Sequence, residues 1–435
     1  MDPNLFPKDF MWGASTSSHQ VEGGTENQWT EWELANATEL AKMVPKRISW
    51  LPNWKSVKPD ATDPENYISG RGIEHYKRYE EDFDLLEELH LNSFRFSIEW
   101  SRINPKEGAW NLEGIKHYHH YIDSLNKRGI EPILNIWHWT MPTWFTEKGG
   151  FEKKANLVFF DQFVEKIVEE YGKDVRYILT LNEPNIYSVV SYLTSEWPPQ
   201  QRSIWKCLKV YWNLMQAHKR AYDIIKRIEP AIQVGVAQNM RNEKSAGKND
   251  PISPIVAYMT MYVWNRWFIN RIKHKQDFIG INFYNSEYVR GFVHHNPKTP
   301  LSDVGWYMEP EGLLPVLVQT YARYKKPIMI TENGLADEKD RFRKWWITQT
   351  LVAMQRAISQ DVELIGYMHW SLLDNFEWSH GWWPKFGLVA VDRENDMKRT
   401  IRPSAKWFAN YLKKLDRYQV VRAKAHGRKS GTDRP

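Results

Sequence analysis

The chain has 435 residues, 42% of them apolar and 26% charged, which suits one large globular core and excludes a disordered or collagenous protein. No run of about 18 or more apolar residues occurs, the amino terminus has no basic segment followed by an apolar one, and Cys207 is the lone cysteine. A spanning segment, a secretory signal and an intramolecular disulfide are therefore not expected, and a cytoplasmic setting with no membrane partner is. The formal net charge is +6, and residues 412–435 carry eight Lys/Arg against two Asp, so the remainder is balanced. That basic tail is read as frayed and solvated, and with no aromatic-rich basic face beside it no nucleic-acid partner is expected.

Taken in chain order, short apolar runs at 10–14, 93–98, 132–137, 177–181, 233–237, 278–283, 327–331 and 365–369 read as strands buried on both faces. Helical patterns lie between them. Residues 81–90 place Phe83, Leu86 and Leu89 at helical spacing, residues 160–171 do so with Phe160, Phe163, Val164, Ile167 and Val168, and residues 343–360 repeat the pattern. Eight strands alternating with helices predict an α/β fold, a single (β/α)8 TIM barrel over residues 1–411 with the tail at 412–435. A doubly wound sheet is the rival, but no GxGxxG or Walker A pattern follows the first strand or any other.

In such a barrel the chemistry collects where strands end. The fourth run ends in Asn182-Glu183-Pro184 and the seventh in Thr331-Glu332-Asn333-Gly334, each with a carboxylate just past an apolar stretch. Two acids facing one cavity from different strands suit glycoside hydrolysis, where one must be protonated and the other ionised. The other strand ends supply partners for sugar hydroxyls: Gln20 after the first, Arg95 within the second, His138 between Trp137 and Trp139 after the third. Asn282 and Tyr284 follow at the sixth, Trp370 at the eighth, and Glu377 and Trp378 in the loop beyond it. The chain carries 23 tryptophans, several beside these segments, and a flat indole face suits the C–H face of a sugar ring.

The segments FMWGASTSSHQVEGG, FRFSIEWSRI, LTLNEPN, DFIGINFYNSEYV, ITENGL, WSLLDNFEW and KFGLVAVD, in this order, resemble glycoside hydrolase family 1, the β-glucosidase and β-galactosidase family, from Phe6 to about Trp407. The resemblance implies a retaining β-glycosidase that hydrolyses β-D-glucosides, with β-galactosides and β-fucosides, by double displacement through a covalent glycosyl-enzyme. It further implies Glu183 as acid/base and Glu332 as nucleophile, with substrate contacts from Gln20, His138, Asn182, Trp370, Glu377 and Trp378. Trp306 resembles an aglycone-side wall, and Arg95, Asn282 and Tyr284 resemble residues that hold the carboxylates. The chain departs from the pattern at His138-Trp139-Thr140-Met141, where many members carry Asp and Leu after the Trp, and at His19, where an aromatic is more usual.

No metal and no cofactor is expected. HExxH and paired cysteines are absent, and of His117, His119 and His120 only the first and last share a helix face. The expected partner is a small β-glycoside or oligosaccharide, and the sequence leaves the oligomeric state open. A 6-phospho-β-glycosidase is disfavoured because Glu377 would repel phosphate. A sugar-binding relative without activity is disfavoured because both carboxylates are present, and a transglycosidase would share every residue. A retaining mechanism further predicts that Glu183 and Glu332 lie about 5–5.5 Å apart, with the raised pKa on Glu183.

Overall fold

The computed structural model describes residues 5–247 and 250–429. Eight parallel strands close into a barrel: β1 (Met11–Ser15), β2 (Ser93–Ser97), β3 (Glu131–Trp137), β4 (Tyr177–Asn182), β5 (Gln233–Asn239), β6 (Ile279–Asn282), β7 (Ile328–Asn333) and β8 (Leu364–Trp370). Each strand pairs with its neighbours in sequence. The circle closes where β8 lies against β1, from Met11 opposite Gly366 to Ser15 opposite Trp370. Every strand falls on an apolar run read from the sequence, and the (β/α)8 expectation holds.

The same residues that make the runs apolar divide between two cores. Outward-facing strand residues such as Ile178 and Ile330 join a continuous layer under the helices. Helix Leu157–Tyr171 shows how that layer forms: Leu157, Phe160, Phe163, Val164, Ile167, Val168 and Tyr171 are buried, one face at helical spacing. A separate cluster, Met11, Ile133, Leu179, Ala237, Phe278, Met329 and Met368, draws on strands all round the circle and plugs the barrel interior. The polar strand ends therefore sit above an apolar floor.

The connection from β1 to β2 is the largest excursion, and the sequence reading leaves most of it unassigned. It holds helices Gln28–Ile48, Trp54–Ala61 and His75–Glu88. The first is started by Asn27, whose side-chain oxygen accepts from the backbone N–H of Trp29 at 2.9 Å and Thr30 at 3.0 Å. At the other end of the chain, helix Pro403–Lys429 runs across the boundary expected at 411, with Leu412 and Leu415 buried in the outer core. The end of the expected frayed tail, 430–435, lies outside the described residues.

The loop after β8 is fastened by a buried ion pair. Asp374 accepts from both terminal nitrogens of Arg402, at 3.0 and 2.8 Å, and from the backbone of Gly387 at 3.0 Å. The guanidinium also donates to the Gly387 carbonyl at 2.8 Å. Removing one partner leaves an uncompensated buried charge. Asp374→Ala should therefore lower stability by about 3–5 kcal/mol, measured by denaturant unfolding. A loss below about 1 kcal/mol, the value of an exposed pair, would contradict this account.

Candidate active site

Arg95 stands at the centre of the barrel mouth with its side chain wholly buried. From β2 it donates to the Glu332 carboxylate at the end of β7 and to Asn182 Oδ1 at the end of β4, the latter at 2.7 Å. The Tyr284 hydroxyl donates to the second Glu332 oxygen at 2.6 Å. A guanidinium and a phenol thus hold both oxygens of this carboxylate in one orientation. Gly334 keeps the region compact, because a Cβ there would lie 1.7 Å from the Trp370 carbonyl oxygen.

Glu183 sits across the same mouth in a different setting. Its Oε1 accepts from Asn282 at 2.9 Å and Asn239 at 3.0 Å, and Thr331 orients Asn282 by donating to its Oδ1 at 2.6 Å. The partners are neutral amides. Burial first, and then the charge of Glu332, push the Glu183 carboxyl up to about 8, while the amides and Arg95 pull weakly the other way. Its backbone is left-handed, φ 42°, where the chain turns from β4 into helix Pro184–Tyr192. Trp139 and Trp378, also at the site, share positive φ, a conformation costing about 1–3 kcal/mol for such residues.

Between the two acids opens a cavity of about 190 Å³, whose wall includes Glu183, Glu332, His138, Trp370, Trp378 and Glu377. Trp378 is stacked between the rings of His19 and His138, at 5.7 and 6.0 Å between centroids. Burial, with Arg95 behind it, drives His138 well below the usual imidazole range, so the ring is neutral. Its Nε2 accepts from Asn182 at 3.0 Å. Glu377 has a buried carboxyl oxygen without a hydrogen-bond partner. Burial, then Glu332 and Glu183, push this carboxyl up to about 8.

Of the residues singled out by sequence, Trp306 forms the outer wall with Tyr284 and Phe386. Arg95 and Asn282 lie beneath the wall, gripping the carboxylates, and Asn182 accepts from both and donates to His138. Gln20 does not reach the cavity surface. Its amide nitrogen donates to Asn375 at 3.0 Å and to the Phe376 carbonyl at 2.6 Å, tying the first loop to the loop that carries Glu377. Asn239, Trp197, Arg241, Asn285 and Glu287 also line the cavity, and the sequence reading passed over them. Asn239 had a readable signal, a second amide at the end of a strand taken to stop at 237. The histidines of helix Leu112–Lys127 lie outside this wall: His117 stacks on Tyr76 at 3.6 Å and His119 meets Glu170 at 3.0 Å.

The glycosyl hydrolase family 1 model matches residues 2–272 and 269–416. β-Glucosidase A of Thermotoga maritima is 28% identical over 95% of this chain and 99% of its own length. Among solved structures, a β-glycosidase from Pyrococcus horikoshii is similar, with a TM-score of 0.82 and 32% identity, over 94% of this chain and 95% of that one. A Thermotoga maritima β-glucosidase in complex with glucoimidazole matches with a TM-score of 0.82 and 26% identity, covering 94% of this chain and 99% of that one.

The raised carboxyl at Glu183 has a consequence for stability. Below about pH 4.5, the ordinary glutamate value, the group is neutral in both states and costs nothing. Between there and about 8 the unfolded chain ionises and the native one does not, so stability falls as pH rises. Above that value the loss is complete. Glu183→Gln should therefore be more stable than the parent at pH 9, by on the order of a few kcal/mol, with the gain vanishing toward pH 4.5. Melting temperatures across that range provide the check, and a gain independent of pH would count against it.

Proposed function

The chain belongs to glycosyl hydrolase family 1 and is a glycoside hydrolase, and from that premise we propose that it is a retaining β-glycosidase acting on β-D-glucosides, and on β-galactosides and β-fucosides as well. The observation that carries this reading is the contrast between the two carboxyls of one cavity. Glu332 has a cation and a phenol as donors, whereas Glu183 has only amides and keeps its proton up to about 8. Double displacement needs that contrast, one group ionised to attack and one protonated to assist the leaving oxygen.

The steps follow from these roles. A β-glycoside enters with its sugar ring against Trp370 and Trp378, and its hydroxyls toward His138 and Glu377. Glu332 attacks the anomeric carbon while Glu183 gives its proton to the departing oxygen. The bond to the aglycone breaks and an ester to Glu332 forms, with inversion. Esterification removes the negative charge that had helped raise Glu183. Glu183 can then take a proton from water, which attacks the same carbon, breaks the ester, releases Glu332 as a carboxylate and restores the original configuration. Glu377, with a buried oxygen free of hydrogen-bond partners, is suited to accept from a sugar hydroxyl.

Two substitutions separate the roles. Glu332→Gly should abolish turnover, and azide should restore part of it with a product of inverted configuration. Near-normal turnover by this variant would remove Glu332 as the nucleophile. Glu183→Ala should lose about 10²–10⁴-fold on alkyl glucosides, whose leaving groups need a proton, and far less on nitrophenyl glucosides. Equal losses on both kinds of substrate would exclude the proton-donor role.

A further inference from the structure

Large apolar side chains exposed to solvent concentrate on one side of the molecule. On helix Ile204–Ile228 they are Trp205, 78% exposed, with Leu208 and Trp212 at three- and four-residue steps. On helix Ile252–Met261 and the turn after it they are Ile252, Ile255, Met259 and Val263, again one stripe. Phe292, 80% exposed, and Val293 sit at the tip of the hairpin whose first strand is Ser286–Arg290. Helix Ile204–Ile228 has a full buried face besides, and Ile252–Met261 buries Ser253 and Ala257, so these stripes stand where an ordinary amphipathic helix is polar.

The three segments are joined. The backbone N–H of Gly291, at the hairpin tip, donates to Asp250 at 3.0 Å and Ser253 at 2.8 Å, at the start of the second helix. Tyr211 of the first helix stacks on Trp267 at 5.0 Å, in the helix that continues the second. All three segments follow the carboxyl ends of adjacent strands β4, β5 and β6, so they border the barrel mouth. Each begins at the cavity wall: Trp197, Arg241 and Asn285 line the cavity shortly before the exposed residues begin.

Charge selects the occupant. Residues 197–222, 251–276 and 288–302 contain eleven Lys/Arg, with Asp250 and Glu287 at their borders. Lys206, Arg220 and Lys275 pair with Glu152, Asp161 and Asp223, and the other eight are in no ion pair among the described residues. Two copies meeting through this face would set cations against cations. Exposed Trp and Phe beside cations suit the boundary between anionic headgroups and acyl chains. We infer that the face carrying Trp205, Ile255 and Phe292 docks on an anionic lipid surface and turns the catalytic mouth toward it. The attachment is peripheral, since none of the described helices is long and apolar enough to cross a membrane. The sequence reading expected no membrane partner because it weighed only spanning segments. On the catalytic reading above, docking would favour β-glycosides whose aglycone is anchored in lipid.

Co-sedimentation with vesicles tests docking without reference to turnover. The protein should bind phosphatidylcholine vesicles containing about 30% phosphatidylglycerol, bind pure phosphatidylcholine more weakly, and be released by salt. Trp205→Ser/Phe292→Ser, and separately Lys209→Glu/Arg290→Glu, should each weaken binding by about tenfold or more. Hydrolysis of a soluble nitrophenyl glucoside should be unchanged in both variants, which shows that they are folded. Absence of binding by the parent protein, or equal binding by the variants, would overturn the inference. So would a parent that is dimeric without lipid and that the serine variant converts to monomer, since a second copy would then cover the face.

Discussion

A guanidinium buried at the barrel axis is the constraint from which the site follows. Arg95 has no access to water, and an unpaired charge there would cost several kcal/mol. Its partners come from two other strands, the Glu332 carboxylate on β7 and the Asn182 amide on β4. Barrel closure and assembly of the carboxylate cluster are therefore the same event. The apolar plug beneath, with Met11, Leu179 and Met368, strengthens the pairing by excluding water from one side.

From that cation the asymmetry of the two acids follows. Arg95 spends its strongest contact on Glu332, and its influence on Glu183 ranks below burial, below the repulsion of Glu332 and below the two amides. The amides of Asn239 and Asn282 orient the Glu183 carboxyl without fixing its charge. A carboxyl that must be acid in one step and base in the next needs that neutrality. Left-handed backbone at Glu183, Trp139 and Trp378 shows that position was favoured over local comfort in the surrounding packing.

How much of this was legible in sequence depends on the distance over which each feature is decided. The strands could be read because burial on both faces leaves runs such as ILNIW and IMIT with almost no polar interruption. Glu183 and Glu332 at the ends of such runs, and Arg95 within one, could be read because a charged residue has few structural reasons to be there. Asn239 was missed when β5 was taken to end two residues early. Arg241 and Glu287 lie on excursions whose path no local pattern determines. Gln20, a substrate contact by the family resemblance, fastens two loops through Asn375 and Phe376, more than 350 residues away, which no local pattern foretells. The boundary drawn at 411 falls inside helix Pro403–Lys429, where the burial of Leu412 and Leu415 depends on packing against the barrel.

The barrel mouth is unequal around its rim, and the inequality is informative. After β8 the loop is held by a buried ion pair and its tryptophans are inside, so apolar area there contributes to folding. After β4, β5 and β6 comparable side chains face water, where they contribute little to folding and raise the risk of association. Stability does not account for those of helix Ile204–Ile228, which already buries a full apolar face, and exposed side chains on Ile252–Met261 add little to it. Nor does the cavity account for them, since its lining on this side is Trp197, Arg241, Asn285 and Glu287 and none of the exposed apolar residues. An apolar face on the mouth side, with an excess of cations in its own segments, is therefore explained by what lies outside the molecule.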